Sequence, residues 1–111
     1  MTDVQSVQVD EVNSLTANGA LLLDVRETEE FESGHAPQAV HVALSDVPDH
    51  LGDFDSNQLI VCVCRSGGRS GRAAKFLAEQ GYLVANCEGG MLAWAEAGLD
   101  MVAHAGEPFV Q

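Results

Sequence analysis

Apolar residues in this chain gather in short, nearly continuous runs. "LLLDV" (21–25), "VHVAL" (40–44) and "LIVCV" (59–63) are such runs, and "YLVAN" (82–86) is a weaker one. Continuous greasy runs rich in β-branched residues predict strands covered on both faces, as in a parallel sheet. "SVQV" (6–9) predicts a fifth, short edge strand. Helical patterns lie between them. Asp10 caps a helix carrying Val12 and Leu15 and stopped by Gly19. Thr28 caps a short acidic helix around Phe31, and Ser45 caps another with Pro48 in its first turn. Ser70 or Gly71 opens "RAAKFLAEQ", which ends at Gly81. "GMLAWAEAG" is apolar around most of its girth, which predicts a well-buried helix ending at Gly98.

Strand and helix alternate with short connections. That order predicts an α/β three-layer sandwich, a mostly parallel sheet with helices on both faces. One domain is expected over residues 1–100. The last stretch, "DMVAHAGEPFVQ", has no periodicity, so 101–111 are expected to form an extended tail. At 111 residues and 46% hydrophobic content the chain supports a real core.

Charge narrows the function. Seventeen Asp and Glu against five Lys and Arg leave a net charge of -12. Nucleic acid and anionic membranes are therefore not expected partners, because a phosphate surface needs a basic one. The acids are spread along the chain and read as a solvated surface. No apolar run approaches the roughly 20 residues of a membrane span. The start, "MTDVQSVQVDEV", lacks the basic and greasy regions of a signal peptide, so the cytoplasm is the expected compartment. Three cysteines with no CxxC pair point to reduced thiols and to no metal site.

One feature breaks the even spread of charge. Four of the five basic residues (Arg65, Arg69, Arg72 and Lys75) fall just after Cys64, in and behind "CRSGGRS". Cys64 follows the fourth predicted strand and precedes a helix, where open parallel sheets place their sites. Gly67 and Gly68 allow a tight curl with N–H groups facing inward. The helix start adds positive potential, and Arg65 and Arg69 are expected to add full charges. A free thiol ionises at about pH 8.5, and such surroundings lower that value. Cys64 is therefore the candidate nucleophile. Arg65, Ser66, Gly67, Gly68, Arg69 and Ser70 are its expected anion cradle. Cys62 and Cys87 lie in apolar strands and read as packing.

Three motifs in order resemble the rhodanese family of sulfurtransferases: "DVRETEEFESGHAPQA", "CRSGGRS" and "EGGMLAW". The resemblance implies a central five-stranded parallel sheet. It implies that Cys64 takes the outer sulfur of a small anionic donor such as thiosulfate, is left as a persulfide, and passes that sulfur to cyanide or a thiol. No metal or organic cofactor is implied; a protein partner is unspecified. A sulfur carrier or partner-docking module of the same fold is the alternative reading. A cysteine phosphatase or arsenate reductase is a third, but the phosphatase pattern Cys-x5-Arg is not met, since the sixth residue after Cys64 is Ser70. Ser66 stands where two-domain thiosulfate enzymes of the family often carry a second basic residue. That leaves Arg69 to bind the donor and weighs against thiosulfate as the natural one.

Asp24 and Arg26, in "DVR", are candidate supports near the site floor, though a structural ion pair is the simpler reading. His35 in "SGHAP" reads as a turn residue, Trp94 as core, and Arg72 and Lys75 as a solvated helix face. His41, His50 and His104 show no ligand spacing.

Overall fold

The computed structural model describes residues 4–111, so residues 1–3 of the expected domain lie outside the described residues. Among the described residues five strands are formed: β1 (Gln5–Val7), β2 (Leu21–Asp24), β3 (Val40–His41), β4 (Ile60–Val63) and β5 (Val84–Cys87). They form one sheet in the order β1-β5-β4-β2-β3. All four pairings are parallel. Four α-helices accompany them: α1 (Val9–Ala17), α2 (Thr28–Ser33), α3 (Gly68–Glu79) and α4 (Gly90–Glu96). A 3-10 segment, Leu44–Asp53, links β3 to β4.

β4 shows why the greasy runs are continuous. Ile60 and Cys62 face a cluster with Val47, Ala73, Ala74 and Leu77, from the 3-10 segment and α3. Val61 and Val63 face the opposite cluster with Val12, Met91 and Trp94, from α1 and α4. Successive side chains point to opposite faces of a strand, so a strand packed on both sides needs apolar residues at every position. All four residues of β4 are buried. The three-layer sandwich expected from the sequence is the architecture seen.

Several boundaries differ from the sequence expectation, for local reasons. β3 keeps two residues of "VHVAL", because the chain turns into the 3-10 segment at Leu44. β5 runs Val84–Cys87 rather than 82–86, because Tyr82 closes the end of α3 with its N–H on the Leu77 carbonyl. Gln8, not Asp10, caps α1, and Glu27, not Thr28, caps α2; each pairs reciprocally with a Glu three residues on. Ala43, not Ser45, flanks the 3-10 segment. α4 buries only Gly90, Met91 and Trp94, and Leu92 is 39% exposed, so this helix is covered on one face rather than all round. α3 starts at Gly68, two residues before Ser70. Its opening therefore belongs to the loop after β4, and Ser70 lies inside the first turn instead of capping it.

The segment after Asp100 lies along α2. His35 and Val102 exchange backbone hydrogen bonds at 2.9 Å in each direction, and the Phe109 N–H donates to the Ser33 carbonyl at 3.0 Å.

Candidate active site

Three connections meet at the carboxyl edge of the sheet: those after β2, β4 and β5. Val25, just past β2, donates its N–H to the Val63 carbonyl at 3.0 Å, so the β2 and β4 exits leave side by side. Cys64 follows Val63. Its side chain continues the Ile60–Cys62 face and is only 1% exposed.

Burial alone pushes a thiol up in pKa, because the charged form loses water. Cys64 feels that effect first, yet its pKa is lowered overall. The Ser70 hydroxyl and the backbone N–H groups of Ser70, Gly67 and Ser66 outweigh the burial. The Gly67 N–H donates to Cys64 Sγ at 3.1 Å and the Ser70 hydroxyl lies 3.3 Å from it. This is an inward-facing ring of donors around one sulfur.

The ring is held open from outside. Gly67 has φ 117, which turns its N–H toward the sulfur and is a conformation only glycine adopts easily. Asn86, at the end of β5, donates Nδ2–H to the Gly67 carbonyl at 3.1 Å and accepts the Ser70 hydroxyl at 2.6 Å. The start of α4 holds the first residues of the loop. Met91 N–H donates to the Cys64 carbonyl at 2.8 Å, and Leu92 N–H to the Arg65 carbonyl at 3.0 Å. With the carbonyls drawn outward, the amides are free to face the sulfur. Gly90 makes this approach possible. A Cβ there would lie 2.4 Å from the Cys64 carbonyl oxygen and 2.5 Å from that of Arg65.

Each guanidinium of the loop also has a partner elsewhere in the chain. Arg69 forms a two-pronged ion pair with Glu30 of α2, at 2.7 and 2.9 Å. Arg65 is exposed and donates Nε–H to the Gln111 carbonyl at 2.6 Å. Against burial, hydrogen bonds from the Ser70 hydroxyl and the loop amides are the largest effects lowering the Cys64 pKa. Arg69, whose pKa is raised first by its hydrogen bonds to Glu30, lies near enough for the Cys64 charge to raise it further. Amides and one hydroxyl contribute most, because they sit within hydrogen-bonding distance of the sulfur. Ser66 and Gly68 lie on the exposed rim. Arg72 and Lys75 are exposed on α3.

Asp24 and Arg26 form a fully buried ion pair, with Nη2 to Oδ2 at 2.8 Å, and the same Nη2 donates to the Gly34 carbonyl at 2.8 Å. They brace the β2 exit and have no hydrogen bond to Cys64. His35 is a packed turn residue, its ring 3.7 Å from that of Phe31 and its Nδ1–H donated to the Phe31 carbonyl. Trp94 is core, 1% exposed. Cys62 and Cys87 are buried, and burial first, then the neighbouring Cys64 charge, pushes them up to about 12 and about 11.

Asn86 and Glu30 escaped the sequence reading. Asn86 carried a faint signal as the one polar residue in "YLVAN". Glu30 carried none, being one of four acids between positions 27 and 32. A surface depression of about 430 Å3 lies at the opposite edge of the sheet beside Gly19, Asn57 and Leu59, and no cysteine or arginine lines it. A pocket of about 360 Å3 beside the loop is lined by Val25, Glu27, Leu44, Ser45 and Arg69.

A cysteine in an amide ring at the carboxyl edge of a five-stranded parallel sheet has close counterparts. The model of the Rhodanese-like domain matches residues 8–97. The chain belongs to that family. It is 48% identical over 73 residues to YtwF of Bacillus subtilis, spanning 66% of this chain and 71% of YtwF. It is 34% identical over 95 residues to the thiosulfate sulfurtransferase GlpE of Pseudomonas syringae, spanning 85% of this chain and 90% of GlpE. The crystal structure of a rhodanese-like domain protein from Staphylococcus aureus superposes with a TM-score of 0.79 at 32% identity, covering 87% of this chain and 97% of that one. Among the described residues no helix is long and apolar enough to cross a membrane.

Proposed function

We propose that this protein moves a sulfane sulfur from a small donor to a thiophilic acceptor through a persulfide on Cys64. Rhodanese-type sulfur transfer on a reactive cysteine is the activity that its family and its sulfurtransferase relatives support. One observation carries the assignment to Cys64: its sulfur is nearly covered, yet it is aimed into N–H and O–H donors that lower its pKa.

In the first half-reaction the Cys64 thiolate attacks the outer sulfur of the donor. With thiosulfate, the bond between the two donor sulfurs breaks and its electron pair leaves with sulfite. Cys64 then carries a second sulfur, as Cys–S–S⁻. The amides of Ser66, Gly67 and Ser70 stabilise that anion as they do the thiolate. In the second half-reaction an acceptor attacks the terminal sulfur and the Cys64 thiolate is regenerated. Cyanide gives thiocyanate; a thiolate gives a new persulfide. The chemistry needs only a nucleophile and a leaving group. Thiosulfate serves as the test-tube donor, and the identity of the natural donor is the finer part of the proposal. So are the cytoplasm as compartment, which three unpaired cysteines favour, and residues 101–111 as a segment outside the family domain.

The carrier reading differs only in whether the acceptor is a free small molecule. A phosphatase is disfavoured by what closes the loop. Ser70 stands where the phosphate-gripping arginine is required, and Arg69 is turned to Glu30. Intact-mass measurement after treatment with thiosulfate is the decisive experiment. A gain of one sulfur, lost in Cys64→Ser, is expected. An unmodified wild-type chain that hydrolyses an aryl phosphate would overturn the proposal.

A further inference from the structure

Neither arginine of the loop is free of a partner. Arg69 gives both terminal nitrogens to Glu30, at 2.7 and 2.9 Å. The pair is shielded, with side chains 29% and 15% exposed, so solvent screens it only in part. Arg65 is engaged by the Gln111 carbonyl. Glu27 lines the same pocket as Arg69, which sets two carboxylates against one guanidinium there. The chain as a whole carries -12. A compact dianion approaching the loop past this pocket meets an arginine already bound to Glu30, with Glu27 beside it. Two negative charges on the donor are repelled about twice as strongly as one.

We propose that Glu30 is a donor-selecting residue: by occupying Arg69 it disfavours dianionic donors such as thiosulfate and favours a sulfane sulfur delivered with a single negative charge, as in an organic thiosulfonate. The proposal rests on the sulfurtransferase reading above. The transfer balances for either donor. The Cys64 thiolate bonds to the outer sulfur and the sulfur–sulfur bond of the donor breaks. Its electron pair leaves as sulfite from thiosulfate, or as a sulfinate from a thiosulfonate.

Glu30→Gln tests this without removing the local fold. Oε1 of Glu30 accepts from the Glu27 N–H at 3.0 Å in the cap of α2, and a glutamine oxygen makes the same bond. Cyanide-dependent turnover is measured with thiosulfate and with methanethiosulfonate, its singly charged analogue. In Glu30→Gln, kcat/KM for thiosulfate is expected to rise about tenfold, and that for methanethiosulfonate by less than about threefold. A ratio that stays at the wild-type value, or a parallel fall with both donors, overturns the proposal and leaves Glu30 as a positioning residue for Arg69. If Glu30→Gln does not fold, Glu27→Gln decides: a rise of about twofold in the same ratio supports the proposal, and no change overturns it. A wild-type protein that gains no sulfur on Cys64 from either donor overturns the sulfurtransferase reading and donor selection with it. A wild-type protein that gains sulfur while the variant ratio stays fixed overturns donor selection alone.

Discussion

Cys62 and Cys64 stand two residues apart, on the same face of the same strand line, and are 0% and 1% exposed. Their chemistry diverges nonetheless. Cys62 is pushed up to about 12, while Cys64 is brought below the ordinary thiol value. The difference lies in the backbone around them. The amides at Cys62 are spent on the ladders with β2 and β5, where Leu23 and Asn86 are its partners. The chain beyond Cys64 has left the ladder, so its amides are free to curl around a sulfur. The opposite pKa shifts follow where the N–H groups point, since both thiols are nearly covered.

The largest test of that contrast exchanges the two thiols for hydroxyls. Cys64→Ser is expected to lose at least about a thousandfold in sulfur transfer, because a neutral hydroxyl is a poor nucleophile for sulfur. Cys62→Ser keeps activity within a few-fold and loses about 1–2 kcal/mol of stability from burying a hydroxyl. Alkylation at neutral pH followed by peptide mass mapping should label Cys64 alone; equal labelling of Cys62 would remove the contrast.

Gly90→Ala tests whether the outer clamp matters. Its Cβ would meet two backbone carbonyl oxygens at 2.4 and 2.5 Å, so the loop or α4 has to move. A loss of about tenfold to a hundredfold in kcat/KM is expected, with about 2–4 kcal/mol of stability, read by turnover and urea melts. Wild-type turnover in this variant would show that the clamp is dispensable.

Ser70→Ala removes one donor and leaves the amides. Its pH–rate profile should shift upward, because the thiolate is less stabilised, with a drop of about threefold to tenfold at neutral pH. Rates measured well above the shifted midpoint should recover most of that drop. A loss that persists at all pH values would assign Ser70 a role other than lowering the thiol pKa.

The smallest effect concerns the one ion pair that joins the loop to α2. Arg69 holds Glu30 at about 2, against its ordinary 4.5, with its hydrogen bonds the largest cause. The lowered pKa adds stability that is present above about pH 4.5 and is lost as pH falls toward 2. Arg69→Ala should therefore flatten the stability curve across that window by about 1 kcal/mol or less, since the pair is partly exposed. Urea midpoints at pH 6 and pH 3 measure it, and an unchanged slope would mean that the pair contributes nothing.

The layout of the site was legible because its determinants are local. Greasy runs at every position of a strand require cover on both faces, and the helices that provide it are written between the runs. Cys64 stood out as a candidate because Gly67 and Gly68 follow within four residues, in the turn that leaves a buried strand. The start of α3 at Gly68 was not legible, since a glycine pair reads as loop until the amides are seen to converge on a sulfur. The clustering of Arg65 and Arg69 was visible, but their partners were not. Glu30 lies 39 residues from Arg69 and Gln111 lies 46 from Arg65. Nothing in the spacing of charges along a chain tells which acid will meet which base.

From the sequence alone came a doubly covered parallel sheet, a cysteine at the exit of its central strand and a curl of glycines to hold it. Those follow from side-chain period and backbone freedom, which act within a few residues. The tertiary structure decided that Asn86 and the start of α4 hold the curl open, and that Glu30 claims its arginine. Such bonds join the exits of β2, β4 and β5, which become neighbours only when the sheet has formed.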